Sequence, residues 1–231
     1  MQLNKDVQRV LAFFAHPDDE TLAAGATLAT WAGQGVEVHV AIPGTGITSR
    51  GESGPQAEQK IAALRGNARQ ALQELGVDPA LARFGDFPDN AMDSLPLLQL
   101  VQWLEAVMRE ARPDVILTHH RFCTNIDHQY CHQAAVVAAR PAPGRQVALL
   151  CGEVPSSTGY LRPAAFEPNF YVNVSEAALE RKLAAMRAYE SEVQPDPNPR
   201  SPEVLRAVAK VRGSESGNHF AEAFMAQRLF S

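Results

Sequence analysis

The chain of 231 residues has little cysteine: only Cys123, Cys131 and Cys151. An odd count with no export signal excludes a disulfide framework and predicts reduced thiols. Long apolar runs are missing as well. The longest near the start covers residues 10–15 and runs into His16 and two aspartates. That is too short for a signal-peptide core and well under the roughly 20 residues of a membrane span. A cytoplasmic location with no membrane span is expected. No cluster of Lys and Arg appears, and 26 acidic against 21 basic residues give a net charge of −5. Nucleic acid is therefore not expected as a partner. No G-x-G-x-x-G follows the first strand-like run, which argues against a dinucleotide-binding protein. What is present is ordinary globular composition, 45% hydrophobic and 20% charged. It excludes disorder and suffices for one large domain, or one domain with an appendage.

Strands are expected at residues 7–14, 36–42, 81–84, 114–118 and 146–151. Helices are expected at 21–34, 56–75, 95–111 and 127–139, with a Gly-rich loop over 43–55. This alternation predicts an α/β fold: a Rossmann-like, doubly wound, mostly parallel sheet flanked by helices, built from residues 1–154. After residue 155 the pattern changes. A strand near 170–174 and helices near 175–192, 201–212 and 218–229 predict a mainly helical C-terminal extension, residues 155–231, packed on the same domain. In such sheets ligands bind beyond the carboxyl ends of the strands. That places the polar cluster after the first strand, the 43–55 loop and His119 on one rim.

The cluster is His16-Pro17-Asp18-Asp19-Glu20. Two adjacent carboxylates and an imidazole repel or perturb one another unless a divalent cation removes the cost. His16 and Asp19, three apart across a tight turn, can both reach one ion. Asp18 points differently and need not ligate. A catalytic zinc takes three protein ligands, so a third is expected from another strand end. Asn125-Ile126-Asp127-His128 is the place to look, with His128 at a helix start and Asp127 as its orienter or cap. His132, four residues on, offers a rival closed site with Cys123 and Cys131, but leaves the first cluster unexplained. Arg65, on the helix after the Gly-rich loop, either binds substrate or is solvated. Trp31 and Trp103 are expected in the core, His39 in a sheet, His120 packed or capping, and His219 at the surface. Glu222 either caps the site or pairs with Arg212.

Ala15-His16-Pro17-Asp18-Asp19-Glu20 resembles the AHPDDE signature of the LmbE-like, PIG-L family of zinc-dependent N-deacetylases. Thr118-His119 followed by Asn125-x-Asp127-His128 resembles the second motif of that family. The run from Glu153 to Thr158, Arg212-Gly213 and Ala221-Glu222-Ala223-Phe224 are similar to a branch associated with surface-polysaccharide sugars. The resemblance implies Zn2+, with Fe2+ or Co2+ as alternatives, on His16, Asp19 and His128, and Asp18 as general base. It implies hydrolysis of an N-acyl group, most simply acetyl, from an amino sugar such as N-acetylglucosamine, in polysaccharide or glycoconjugate biosynthesis. Two positions depart from the pattern. Much of the family has a histidine where Asn125 stands; Asn can bind substrate but supplies no proton, so His119 is the expected general acid. An aspartate of the branch is replaced by Cys123. The alternative is a single- or two-metal phosphoesterase acting on a sugar phosphate. The spare carboxylates, Asp18 and Asp127, favour one metal. A homo-oligomer is left open.

Overall fold

Val10 and Ala12 face one hydrophobic core while Leu11 and Phe13 face another, and all four are fully buried. Strand β1 (Arg9–Phe13) is therefore covered on both faces, which is what a central parallel strand requires. In the computed structural model, which describes residues 7–51, 53–161 and 165–230, β1 lies inside a seven-stranded sheet. The other strands are β2 (Glu37–Gly44), β3 (Ala82–Phe87), β4 (Val115–His119), β5 (Ala148–Gly152), β6 (Phe170–Asn173) and β7 (Ala221–Arg228). Their order is β3-β2-β1-β4-β5-β7-β6. The first five run parallel, while β7 is antiparallel to both its neighbours.

Helices α1 (Asp19–Gly33), α2 (Gly54–Leu75), α5 (Glu176–Ala188) and α6 (Pro202–Ser216) cover the face of Val10. Helices α3 (Leu97–Ala111) and α4 (Ile126–Ala138) cover the face of Leu11. This is the expected doubly wound arrangement. The chain goes from β1 to β2 on one side, and β4 pairs with β1 on the other. Their carboxyl ends form the crevice where such sheets bind ligands. Gly44 closes the crevice floor: a Cβ there would lie 2.7 Å from the carbonyl oxygen of Ala15. Among the described residues no helix is long and apolar enough to cross a membrane.

One expected helix is a strand. Residues 218–229 carry Ala, Glu, Met and Gln, which favour helix, yet residues 221–228 form β7. The segment fills the gap between β5 and β6, where Phe224 pairs with both Gly152 and Phe170. Burial from Ala221 to Phe224 on both sides of the strand outweighs local propensity. Residues 155–231 thus add two strands to the sheet beside the two helices that make up most of their regular structure.

Candidate metal centre

The chain leaves β1 through a turn closed by Asp19 N–H on the carbonyl of His16, 3.2 Å, and α1 begins at once. Asp18, inside the turn, takes φ = 114°, a strained value for a non-glycine residue. The buried Glu20 braces it. Glu20 accepts from the Asp18 N–H at 3.2 Å, from the Thr21 hydroxyl at 2.7 Å and from the Tyr189 hydroxyl at 2.6 Å. The two neighbouring carboxylates, Asp18 and Asp19, are thereby sent to different surroundings.

Asp19 Oδ2 lies 3.3 Å from His16 Nδ1 and 3.1 Å from His128 Nε2. These three donor atoms are within 4.8 Å of one another, and all three residues are buried. The outer nitrogens of both imidazoles are engaged. His16 Nε2 faces Asp127 Oδ2 at 2.9 Å and Asp89 Oδ1 at 3.2 Å. His128 Nδ1 faces Cys123 Sγ at 3.1 Å and Ser157 Oγ at 3.4 Å. Outer protons on Nε2 of His16 and Nδ1 of His128 leave the lone pairs of His16 Nδ1 and His128 Nε2 directed toward Asp19. Two imidazoles, each oriented from behind, and a carboxylate are a donor set that would hold a divalent ion. Substrate would have room beside it. His16 and His128 line a polar cavity of about 720 Å3, together with Asn125, Ser157, Tyr160 and Arg200.

Electrostatics follow from burial and these contacts. Burial disfavours a charged His16, but hydrogen bonds to Asp127 and Asp19 outweigh it and push the imidazole up to about 10. His128 rises to about 9 for a similar reason, with Asp19 the main partner working against desolvation. Asp19 is desolvated too, yet His128 and His119 hold its carboxyl well below the usual range. Asp18 goes the other way. Burial pushes it well above the ordinary carboxylate range, and Arg200, whose Nη2 is 3.3 Å from Asp18 Oδ2, opposes the shift.

Several expected roles change. Asp127 orients the histidine of the other cluster rather than its neighbour His128. Its remaining lone pairs accept the N–H groups of Asn90 at 2.6 Å and Met92 at 2.9 Å. Asn125 is the cap of α4, accepting the Asp127 N–H at 2.9 Å while donating to Asn90 Oδ1 at 2.8 Å. His119 does not suit the acid role. It is fully buried, and its Nε2 accepts the Ala15 N–H at 2.7 Å. Its ring stacks on His128 at 3.8 Å, and burial with the neighbouring His128 holds it well below its usual pKa. A neutral acceptor nitrogen has no proton to give. Arg65 does not reach the cavity lining; it donates to the Gly85 carbonyl and to Asp86 beside β3. His132 turns to the His119 carbonyl at 3.0 Å, and among the described residues it joins no metal-binding group. His120 packs between Phe122 and Phe166. Glu222 pairs with Lys182 at 2.6 Å, while Arg212 grips Glu153 at 2.7 and 2.8 Å.

Asp89, Arg200 and the support given by Cys123 were not legible in the sequence. Asp89 reads as turn chemistry beside Pro88, and Arg200 lies between prolines far along the chain. His16, Asp89 and Asp127 themselves form a second close group. It shares His16 with the first, and its carboxylates are occupied by the N–H groups of Asn90, Met92 and Ser49 and the Ser49 hydroxyl. It therefore serves as scaffolding for the first group.

Residues 11–139 match a family model described as PIG-L: GlcNAc-PI de-N-acetylase. A curated relative is the 1D-myo-inositol 2-acetamido-2-deoxy-alpha-D-glucopyranoside deacetylase of Mycolicibacterium vanbaalenii. It is 30% identical, over 85% of this chain and 84% of the relative. Among solved structures, the N,N'-diacetylchitobiose deacetylase of Pyrococcus horikoshii superposes with a TM-score of 0.75. It is 22% identical, covering 95% of this chain and 84% of that one. The 4-carboxy-2-hydroxymuconate hydratase of Pseudomonas putida KT2440 shares the fold with a TM-score of 0.72 and 20% identity, over 96% and 98% of the two chains. The fold alone therefore does not decide the reaction.

Proposed function

Because the chain belongs to the PIG-L family, we propose that it is a zinc-dependent N-deacetylase acting on an N-acetylated amino sugar. The observation that carries this reading is the convergence of His16, Asp19 and His128, two of them on the wall of a polar cavity, with Asp18 in the same turn as Asp19 and paired with Arg200 of that wall. Bound to those three residues, a divalent ion supplies Lewis acidity to the amide carbonyl and to the attacking water. Asp18 takes the water proton; a carboxyl raised by burial is a stronger base than an ordinary one. Arg200 steadies its ionised form. As the carbonyl oxygen gains charge, Arg200 and the second amide N–H of Asn125 are donors available on the cavity wall. Asp18 then passes its proton to the leaving nitrogen, so one carboxyl serves as base and acid. The products are acetate and a free amine. The lining is rich in amide and hydroxyl groups, and Tyr160, 59% exposed, offers an aromatic face at the rim. Such walls suit a neutral sugar.

A phosphoesterase finds no comparable support. The second carboxylate group is already filled by backbone donors, and the family match is to de-N-acetylases. Purified protein incubated with N-acetylglucosaminides, including an inositol glycoside, should release amine and acetate in equal amounts. Chelation should abolish release and Zn2+ should restore it. Release that is indifferent to chelation and to His128→Ala overturns the reading.

A further inference from the structure

The sulfur of Cys123 occupies a place in the metal centre that its burial alone does not explain. Cys123 is fully buried in the turn between β4 and α4. Three polar groups converge on it: His128 Nδ1 at 3.1 Å, Ser157 Oγ at 3.1 Å and Thr158 Oγ1 at 3.2 Å. Thr158 Oγ1 already accepts the Val154 N–H at 2.9 Å, so its own proton points elsewhere and the sulfur is the acceptor at hand. The proton on His128 is settled by the opposite end of the ring. Nε2 looks at Asp19 Oδ2 from 3.1 Å. For Nε2 to offer a lone pair to an ion, the ring proton must sit on Nδ1, and there the sulfur receives it.

Histidines that bind metals usually donate the outer N–H to a carboxylate, carbonyl or water, and loss of that partner costs about 10–100-fold in affinity. His16 follows the rule, with Asp127 and Asp89 behind it. His128 has a thiol and a hydroxyl instead. We propose that Cys123 is the positioning residue of His128: its sulfur accepts the Nδ1 proton, fixes the ring tautomer and orientation, and so sets the affinity of the centre for its ion. Ser157 and Thr158, on the segment after β5, hold the sulfur in place. The proposal rests on His128 being a metal ligand, as the proposed function requires.

The test is metal affinity, read without turnover. Metal-free protein is titrated with Zn2+ against a competing chelator, and with Co2+ by visible absorbance. Cys123→Val keeps the bulk and removes the acceptor; it should weaken binding by about 10–100-fold. Cys123→Ser keeps an acceptor and should stay within a few-fold of the parent. Nitrogen chemical shifts of the zinc-loaded His128 ring should show Nδ1 protonated in the parent and the Ser variant. They remain informative if the Val variant folds poorly. Val binding like the parent, or Ser losing as much as Val, overturns the role of Cys123. His128→Ala is the control. If it binds like the parent, the metal reading itself fails, and the role of Cys123 falls with it. If it binds weakly while Val does not, only the role of Cys123 fails.

Discussion

Asp18 and Asp19 differ by one position and are driven to opposite states. Asp19 is held ionised among imidazoles, while Asp18 is buried against a single guanidinium. A ligand and a base are what such a division provides. Asp18→Asn should keep the metal and lower turnover by about 10²–10⁴, the usual worth of a general base. Loss of metal, or near-normal turnover, contradicts the division. The pH dependence has a definite sign. The base works ionised, so the rate falls as pH drops through the Asp18 pKa, and that limb lies above the ordinary carboxylate range. Arg200 favours the ionised form, so Arg200→Gln should move the limb to still higher pH; a limb that stays put argues against their coupling. His119→Ala makes a contrasting case. Its ring supports the Ala15 N–H and stacks on His128. The variant should lower the melting temperature and keep the shape of the basic limb; a flattened limb would return the acid role to His119. The sequence shows His16 and Asp19 because one turn joins them. It does not show Arg200 on Asp18 or Asp89 on His16, because those contacts depend on where distant segments dock.

At the level of elements, β1, β2 and β5 are readable because each is a short, mostly buried apolar run. β7 is not, since its residues favour helix locally and become a strand only where β5 and β6 leave a slot. The same strand carries Glu222 into the space beneath α1. There Glu222 accepts the N–H groups of Ala26 and Thr27 at 3.1 and 2.6 Å and pairs with Lys182, which also donates to the Leu22 carbonyl at 2.8 Å. Gly25 makes room for this, because a Cβ there would stand 3.0 Å from Lys182 Cγ. Both charges are almost wholly buried. Removing one partner of a buried pair costs about 3–5 kcal/mol. Glu222→Ala should therefore lower the melting temperature by roughly 10 °C, at about 2–4 °C per kcal/mol for a chain of this size. A shift under a degree or two would mean that water replaces the carboxylate and that β7 is not locked to α1 by this pair.

For the whole molecule, binding of the proposed ion would link metal, protons and fold. Without an ion, Asp19 and its neighbours raise His16 to about 10 and His128 to about 9. Both lie above the unfolded value of about 6.5. The stability these two histidines contribute is complete below pH 6.5 and disappears as pH rises through 9 to 10. The metal-free protein should thus lose stability between pH 6.5 and 10 from this source. Metal binding requires the same imidazoles neutral, so near pH 7 it expels about two protons and apparent affinity climbs steeply with pH, flattening above about 10. An ion held by His16, Asp19 and His128 would tie the turn after β1 to the start of α4, and folded protein alone presents that site. An ion at a thousandfold excess over its dissociation constant adds about 4 kcal/mol of stability. The gap between metal-loaded and metal-free melting temperatures should therefore widen from pH 6.5 to 9, as the loaded form gains and the free form declines. Scanning calorimetry of both forms across that range measures the gap. A gap that stays constant or narrows would show that His16 and His128 do not exchange their protons for the ion.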